Sequence, residues 1–169
     1  MSVLKRLSYF SFAVFSLMLL VFCSQEDQKG PGEIRWDRMS CELCRMSVSD
    51  HYYSAQVRGG MEERRTKLYY FDDLGCAILW LKDQEWKNDP RTEIWVNHYQ
   101  TGEWVNAQES HYTTGNITPM DFGLGATLQP SDKTLNYREA VTHIIQDDER
   151  KLLNKTTNTT KSPTDDKDI

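Results

Sequence analysis

The stretch KLYYFDDLGCAILWL, Lys67–Leu81, carries a strand, a helix start and a helix without a break. KLYYF, Lys67–Phe71, reads as a strand, its aromatic residues suiting a pleated, half-buried surface. Leu74, Ala77, Ile78 and Leu81 then fall at i, i+3, i+4 and i+7, the spacing of one helical face. Asp72 or Asp73 supplies the N-cap, and acids belong at that end of the helix dipole. Upstream, HYYSAQVRGG predicts a strand over Tyr52–Val57 that ends in a Gly-Gly turn, so the two strands form a hairpin. Downstream, NDPRT breaks the helix and EIWVNHY, Glu93–Tyr99, predicts a further strand. The first half is therefore β-β-α-β.

The second half begins the same pattern. SHYTTGN is strand-like, and GLGATL, Gly123–Leu128, is a second strand. NYREAVTHIIQDDER is a helix with Tyr137, Ala140, Val141, Ile144 and Ile145 on one face. No closing strand is legible. Residues 151–169 are rich in Thr, Asn, Lys and Asp with little to bury, and read as a disordered polar tail. The expected fold is α+β: two related small β-β-α-β units, the second incomplete.

The N-terminus reads as a targeting segment. After Lys5 and Arg6, an apolar run from Tyr9 to Phe22 stops at Cys23. It is too short for a hydrocarbon core of about 30 Å and fits a secretory signal over residues 1–22. LLVFCSQ resembles a bacterial lipobox, with Cys23 the lipidated residue, although Phe22 stands where a small residue belongs. Polar SQEDQKGPGE then begins a tether over residues 23–36, ahead of a domain over 37–150. This reading places the chain in the cell envelope or periplasm, lipid-anchored to a membrane. The formal net charge of −5, with no stripe of Lys and Arg, argues against a nucleic-acid partner.

The remaining chemistry is sulfur. RMSCELCRMSV, Arg38–Val48, holds Met39, Cys41, Cys44 and Met46. Half a structural zinc site would need Cys76 and a histidine to complete it. A thioredoxin-like pair should open a helix, whereas the residues after Cys44 read as strand. A structural disulfide explains the thiols and leaves the methionines as packing residues. A soft-metal site accounts for thiols and thioethers together, because both are soft donors that favour Cu(I). Cys44 and Met46, two apart on an extended segment, would face the same way, and Cys41 would join them if CELC turns. Met120, after Pro119, is a further candidate, followed by His51, Cys76 and Met39. Cys76 reads equally as a buried, inert helix thiol. No Ser/His/Asp arrangement and no phosphate-binding glycine loop is present, and the acid pair Asp72–Asp73 is explained as a helix cap. The chain therefore does not read as an enzyme. The enzyme alternative that remains is a thiol–disulfide oxidoreductase using Cys41 and Cys44, indifferent to Met46.

Four blocks carry a resemblance. CELCRMSVSD resembles the C-x-x-C-x-M-x-V opening of the NosL family of copper-binding lipoproteins. YYFDDLGCAILWLK resembles that family's strand ending in F-D-D and its cysteine-bearing helix. EIWVNHYQTGEWVNAQESHYTTGN and TPMDFGLGA resemble its third and fourth blocks, in the same order. The resemblance implies a membrane-tethered periplasmic Cu(I) chaperone. It further implies partners in nitrous-oxide reductase, whose copper centre it supplies during assembly in denitrification, and in an ABC-type assembly complex. Carried over by position, Cys41, Cys44 and Met46 are the prime ligands and Met120 the next. Arg45 departs from the pattern, standing where many relatives have glycine.

Overall fold

The computed structural model describes residues 28–159. The segment read from sequence as a signal, Cys23 and the last ten residues lie outside them. The main sheet is antiparallel, with order β2-β1-β3-β4. Its strands are β1 (Ala55–Gly59), β2 (Lys67–Phe71), β3 (Glu93–Asn97) and β4 (Trp104–Asn106). Helix α1 (Leu74–Leu81) connects β2 to β3 and packs on β1 and β2. A small second sheet pairs β5 (His111–Thr113) with β6 (Gly125–Thr127), and helix α2 (Tyr137–Thr159) follows. The fold is thus α+β. The first β-β-α-β unit is complete. Among the described residues no strand follows α2, and within them the second unit has no closing strand.

Strand β1 is central, which explains why all five of its residues are buried. Ala55 pairs with Phe71 on one side and Val96 on the other. Gln56 and Arg58 are buried too, and both are hydrogen-bonded, as buried polar groups need to be. Gln56 accepts from the Gly32 N–H at 2.8 Å and donates to the Gly32 carbonyl at 3.0 Å. Arg58 Nε donates to the Gly30 carbonyl at 2.8 Å. The segment read from sequence as tether is therefore docked on the sheet from Gly30 onward, and Ile34 enters the core.

Several boundaries differ from the sequence reading for local reasons. The first strand begins at Ala55, not Tyr52, because Asp50 Oδ1 accepts the N–H groups of Tyr52 and Tyr53 at 2.8 and 3.2 Å and holds them in a turn. The strand from Glu93 ends at Asn97, since residues 98–102 turn the chain back into β4. Gly102 takes φ +73 there, and its carbonyl accepts from Asn97 Nδ2 at 2.9 Å. Helix α2 opens on a reciprocal capping box between Asn136 and Glu139, with bonds of 2.8 and 3.0 Å. It buries Ala140 and Ile144 as expected, while Ile145 turns toward solvent. The helix also continues through residues 151–159, where a disordered tail was expected. Lys151 anchors the start of this extension. Its ammonium pairs with Asp147 at 2.8 Å, donates to the carbonyls of Met120 and Asp121 at 3.1 and 2.9 Å, and lies over the Phe122 ring. Among the described residues no helix is long and apolar enough to cross a membrane.

Candidate metal centre

The C-x-x-C segment is a tight turn. Ser40 and Ser47 form an antiparallel bridge. Inside it, the Cys41 N–H donates to the Met46 carbonyl at 2.8 Å and the Arg45 N–H to the Cys41 carbonyl at 3.1 Å. Closing that turn puts Arg45 in the left-handed region, at φ +66, a conformation that favours glycine. The extended geometry expected from Cys44 to Met46 is therefore absent, because a left-handed residue between them breaks the alternation. The Glu42 N–H donates to the Tyr70 carbonyl at 3.0 Å, which seats the turn over the end of β2. There, Asp72 and the first turn of α1 meet it.

This placement gathers Cys41, Cys44, Cys76 and Asp72. Their three sulfurs and one carboxylate oxygen all lie within 4.8 Å of one another. Cys41 and Cys76 are fully buried, and Cys44 is half-buried. The Cys44 thiol donates to Asp72 Oδ2 at 3.2 Å. A hydrogen bond from the Cys76 thiol lowers Cys41 to a pKa of about 6, against its burial, and the main-chain N–H groups of Cys44, Asp72 and Leu43 add to the lowering. Burial raises Cys44 to about 12 despite an N–H bond from Met46, with Asp72 and Cys41 raising it further. Cys76 is pushed strongly upward, first by the bond it gives to Cys41 and then by burial. The geometry thus stabilises one thiolate, at Cys41. N–H groups aimed at sulfur in a C-x-x-C turn suit thiolate ligands.

The other sequence candidates fall around this cluster or away from it. Met46 is 54% exposed and lines an open cleft of 360 Å³ together with Asp72 and Pro119. Met120 follows Pro119. Its N–H donates to Asp73 Oδ2 at 3.1 Å, and its side chain packs against the core. Met39 is partly buried against the core, its carbonyl accepting from the Val48 N–H at 2.8 Å. His51 stacks on Trp36 with centroids 4.0 Å apart. It lines an adjoining open hollow of 520 Å³ with Tyr52 and Thr101, which shares Ser49 and Asp50 with the Met46 cleft and contains none of the thiols.

Asp72 is the site residue that sequence reasoning missed. The two acids before α1 have divided roles. Asp73 is the N-cap: its Oδ1 accepts the Cys76 N–H at 3.0 Å and its Oδ2 accepts from Thr118 and Met120. Asp72 caps nothing and turns into the sulfur cluster. The available signal was the doubling itself, since one helix start requires one capping acid.

No protein-family model matches the chain, and no curated protein matches it. A solved structure, that of the copper chaperone NosL from Shewanella denitrificans, is similar with a TM-score of 0.48 at 15% identity. The match covers 70% of this chain and 89% of that one. At that identity and overlap, the likeness bears on neither the ligands nor the activity of this chain.

Proposed function

We propose that this chain is a membrane-tethered, extracytoplasmic Cu(I)-binding protein, anchored through lipid on Cys23, that takes up Cu(I) at the thiol cluster and releases it by ligand exchange. One observation carries the reading: three thiols from two separate segments converge beside an open cleft whose rim is an exposed thioether. Cu(I) favours soft donors, and Cys41, Cys44 and Cys76 supply them. Met46, at the cleft rim, would receive the ion first and pass it inward to half-buried Cys44. A copper chaperone needs this gradient of exposure, because transfer requires one ligand that a partner can reach. The client proposed with it, nitrous-oxide reductase with an ABC-type assembly complex, is what the resemblance of the four sequence blocks implies.

An anaerobic titration of the reduced protein with Cu(I) against a competing chelator tests the proposal. One tightly held Cu(I) per chain, lost in Cys41→Ser/Cys44→Ser, is expected. Absence of binding refutes it. Met46→Leu keeps the volume and removes the thioether, so it should weaken Cu(I) capture.

The lowered pKa of Cys41 also favours the oxidoreductase reading, since thiolates are the attacking species. Against it, Cys41 is fully buried, which closes it to another protein's disulfide. Disulfide reductase activity that survives Met46→Leu, in a protein that holds no Cu(I), would favour the enzyme.

A further inference from the structure

The carboxylate of Asp72 is unexplained by a Cu(I) site alone. Cu(I) is satisfied by two or three sulfurs and has little use for a carboxylate oxygen. Yet Asp72 is only 2% exposed. Its Oδ2 accepts the Cys44 thiol at 3.2 Å, and its Oδ1 is buried with no hydrogen-bond partner among the described residues. No Lys, Arg or His among the described residues pairs with it. A buried carboxylate left in this state is costly unless a cation completes it. Its neighbour Asp73, equally buried, is fully bonded, so the deficit belongs to Asp72 and not to the helix start.

Resting on the metal-binding reading above, we infer that the site also takes a four-coordinate divalent ion of the zinc class, with Asp72 as the oxygen ligand beside Cys41, Cys44 and Cys76. Three sulfurs and one oxygen are a donor set that tetrahedral Zn(II) accepts. A divalent ion also leaves one unit less of buried negative charge than Cu(I) would on the same four donors. The two ions use the site differently. Cu(I) is held by sulfur with Asp72 as a bystander, and the divalent ion needs Asp72. The carboxylate therefore sets which of two metals the cluster retains.

The test uses the full chain, reduced and anaerobic, with Co(II) as the optical probe and Zn(II) as competitor. Sulfur-to-Co(II) charge-transfer bands with intense ligand-field bands are expected, and stoichiometric Zn(II) should abolish them. Asp72→Asn should weaken Co(II) and Zn(II) binding at least about tenfold, and by a larger factor than it changes Cu(I) binding, which it touches only through its bond to the Cys44 thiol. X-ray absorption of the Zn(II)-loaded wild-type protein should show three sulfurs at about 2.3 Å and one oxygen at about 2.0 Å. That measurement decides the case even if the variant fails to fold. A sulfur-only or oxygen-only shell overturns the inference, as does equal Co(II) affinity in Asp72→Asn. A protein that binds Cu(I) but neither Co(II) nor Zn(II) also overturns it and leaves the copper reading standing. A protein that binds none of the three refutes both.

Discussion

Asp73 Oδ2 accepts the Met120 N–H at 3.1 Å, across 47 residues of chain. The same carboxylate caps α1 through the Cys76 N–H and accepts from Thr118. One side chain thus joins the helix that carries a cluster thiol to the loop that carries Pro119 and Met120.

Removing it should loosen both. Asp73→Ala loses a cap worth about 1 kcal/mol and leaves the Thr118 hydroxyl and Met120 N–H unpaired, so a total loss of about 2–4 kcal/mol is expected in denaturant unfolding. Asp73→Asn keeps an acceptor and should lose less. The two also differ in pH dependence. Burial raises the Asp73 carboxyl above its ordinary range, against the lowering effect of its hydrogen bonds. A raised native pKa makes its contribution full below the unfolded value of about 3.9 and lost as pH rises through the native value. The stability of wild type relative to Asp73→Asn should therefore fall with rising pH across that acid window. A constant difference would show that Asp73 does not titrate in this way.

Gly75 tests the packing between the two units. Alanine gains about 1 kcal/mol over glycine in a helix interior and less at the second position of α1, which Gly75 holds. Here a Cβ on Gly75 would lie 2.1 Å from Phe122 Cδ2. Phe122 is buried and has Lys151 over its ring, so it has little room to give. Overpacking of this kind costs about 1–3 kcal/mol and outweighs the propensity gain. Gly75→Ala should therefore lower the melting temperature, and Gly75→Ala/Phe122→Leu should recover part of the loss. A stabilised Gly75→Ala would disprove the contact.

The parts of the fold that the sequence disclosed carry a local apolar or aromatic pattern. Helix α1 falls where the spacing of Leu74, Ala77, Ile78 and Leu81 puts it, with an acid as cap, and β2 falls on the aromatic run KLYYF. What stayed hidden was fixed by polar contacts distant in sequence. Strand β4 has three residues and one buried side chain, too little for alternation to register. The extension of α2 past residue 150 is anchored at its start by Lys151 reaching carbonyls of the 120–121 loop, and no apolar pattern announces that. At the site, Cys41 and Cys44 were legible as a pair. The contribution of Asp72 was not, because an acid beside a helix start already has an explanation. The relation of Cys44 to Met46 was misread because a left-handed arginine leaves no trace in apolar spacing.

That arginine gives a third prediction. A non-glycine residue in the left-handed region costs about 1–2 kcal/mol, and glycine returns about 0.5–1 kcal/mol of this as chain entropy. The Arg45–Glu42 ion pair at 3.1 Å is exposed on the Arg45 side and contributes little. Arg45→Gly should therefore match the parent or exceed it by up to about 1.5 kcal/mol. Arg45→Val, β-branched, should fall below both. Equal stability of the valine and glycine variants would mean that the turn is not held as described.

The thiols give the fourth prediction. Cys41 titrates near 6 because the Cys76 thiol donates to it, while Cys44 stays protonated to about 12. In the reduced, metal-free protein, ultraviolet thiolate absorbance should rise through a first step near pH 6, then stay flat until strongly alkaline. Cys76→Ala removes the donor and leaves the burial that opposes ionisation. The first step should then move up, toward or beyond the ordinary thiol range of about 8.5. An unmoved step would show that Cys76 does not hold the Cys41 thiolate. The same ordering governs metal uptake. Above pH 6 one ligand is already ionised, and loading a metal on all three sulfurs must still displace the protons of Cys44 and Cys76. Apparent affinity should keep rising with pH through neutrality, with about two protons released per ion in a weakly buffered titration. Release of none would place the metal somewhere other than these thiols.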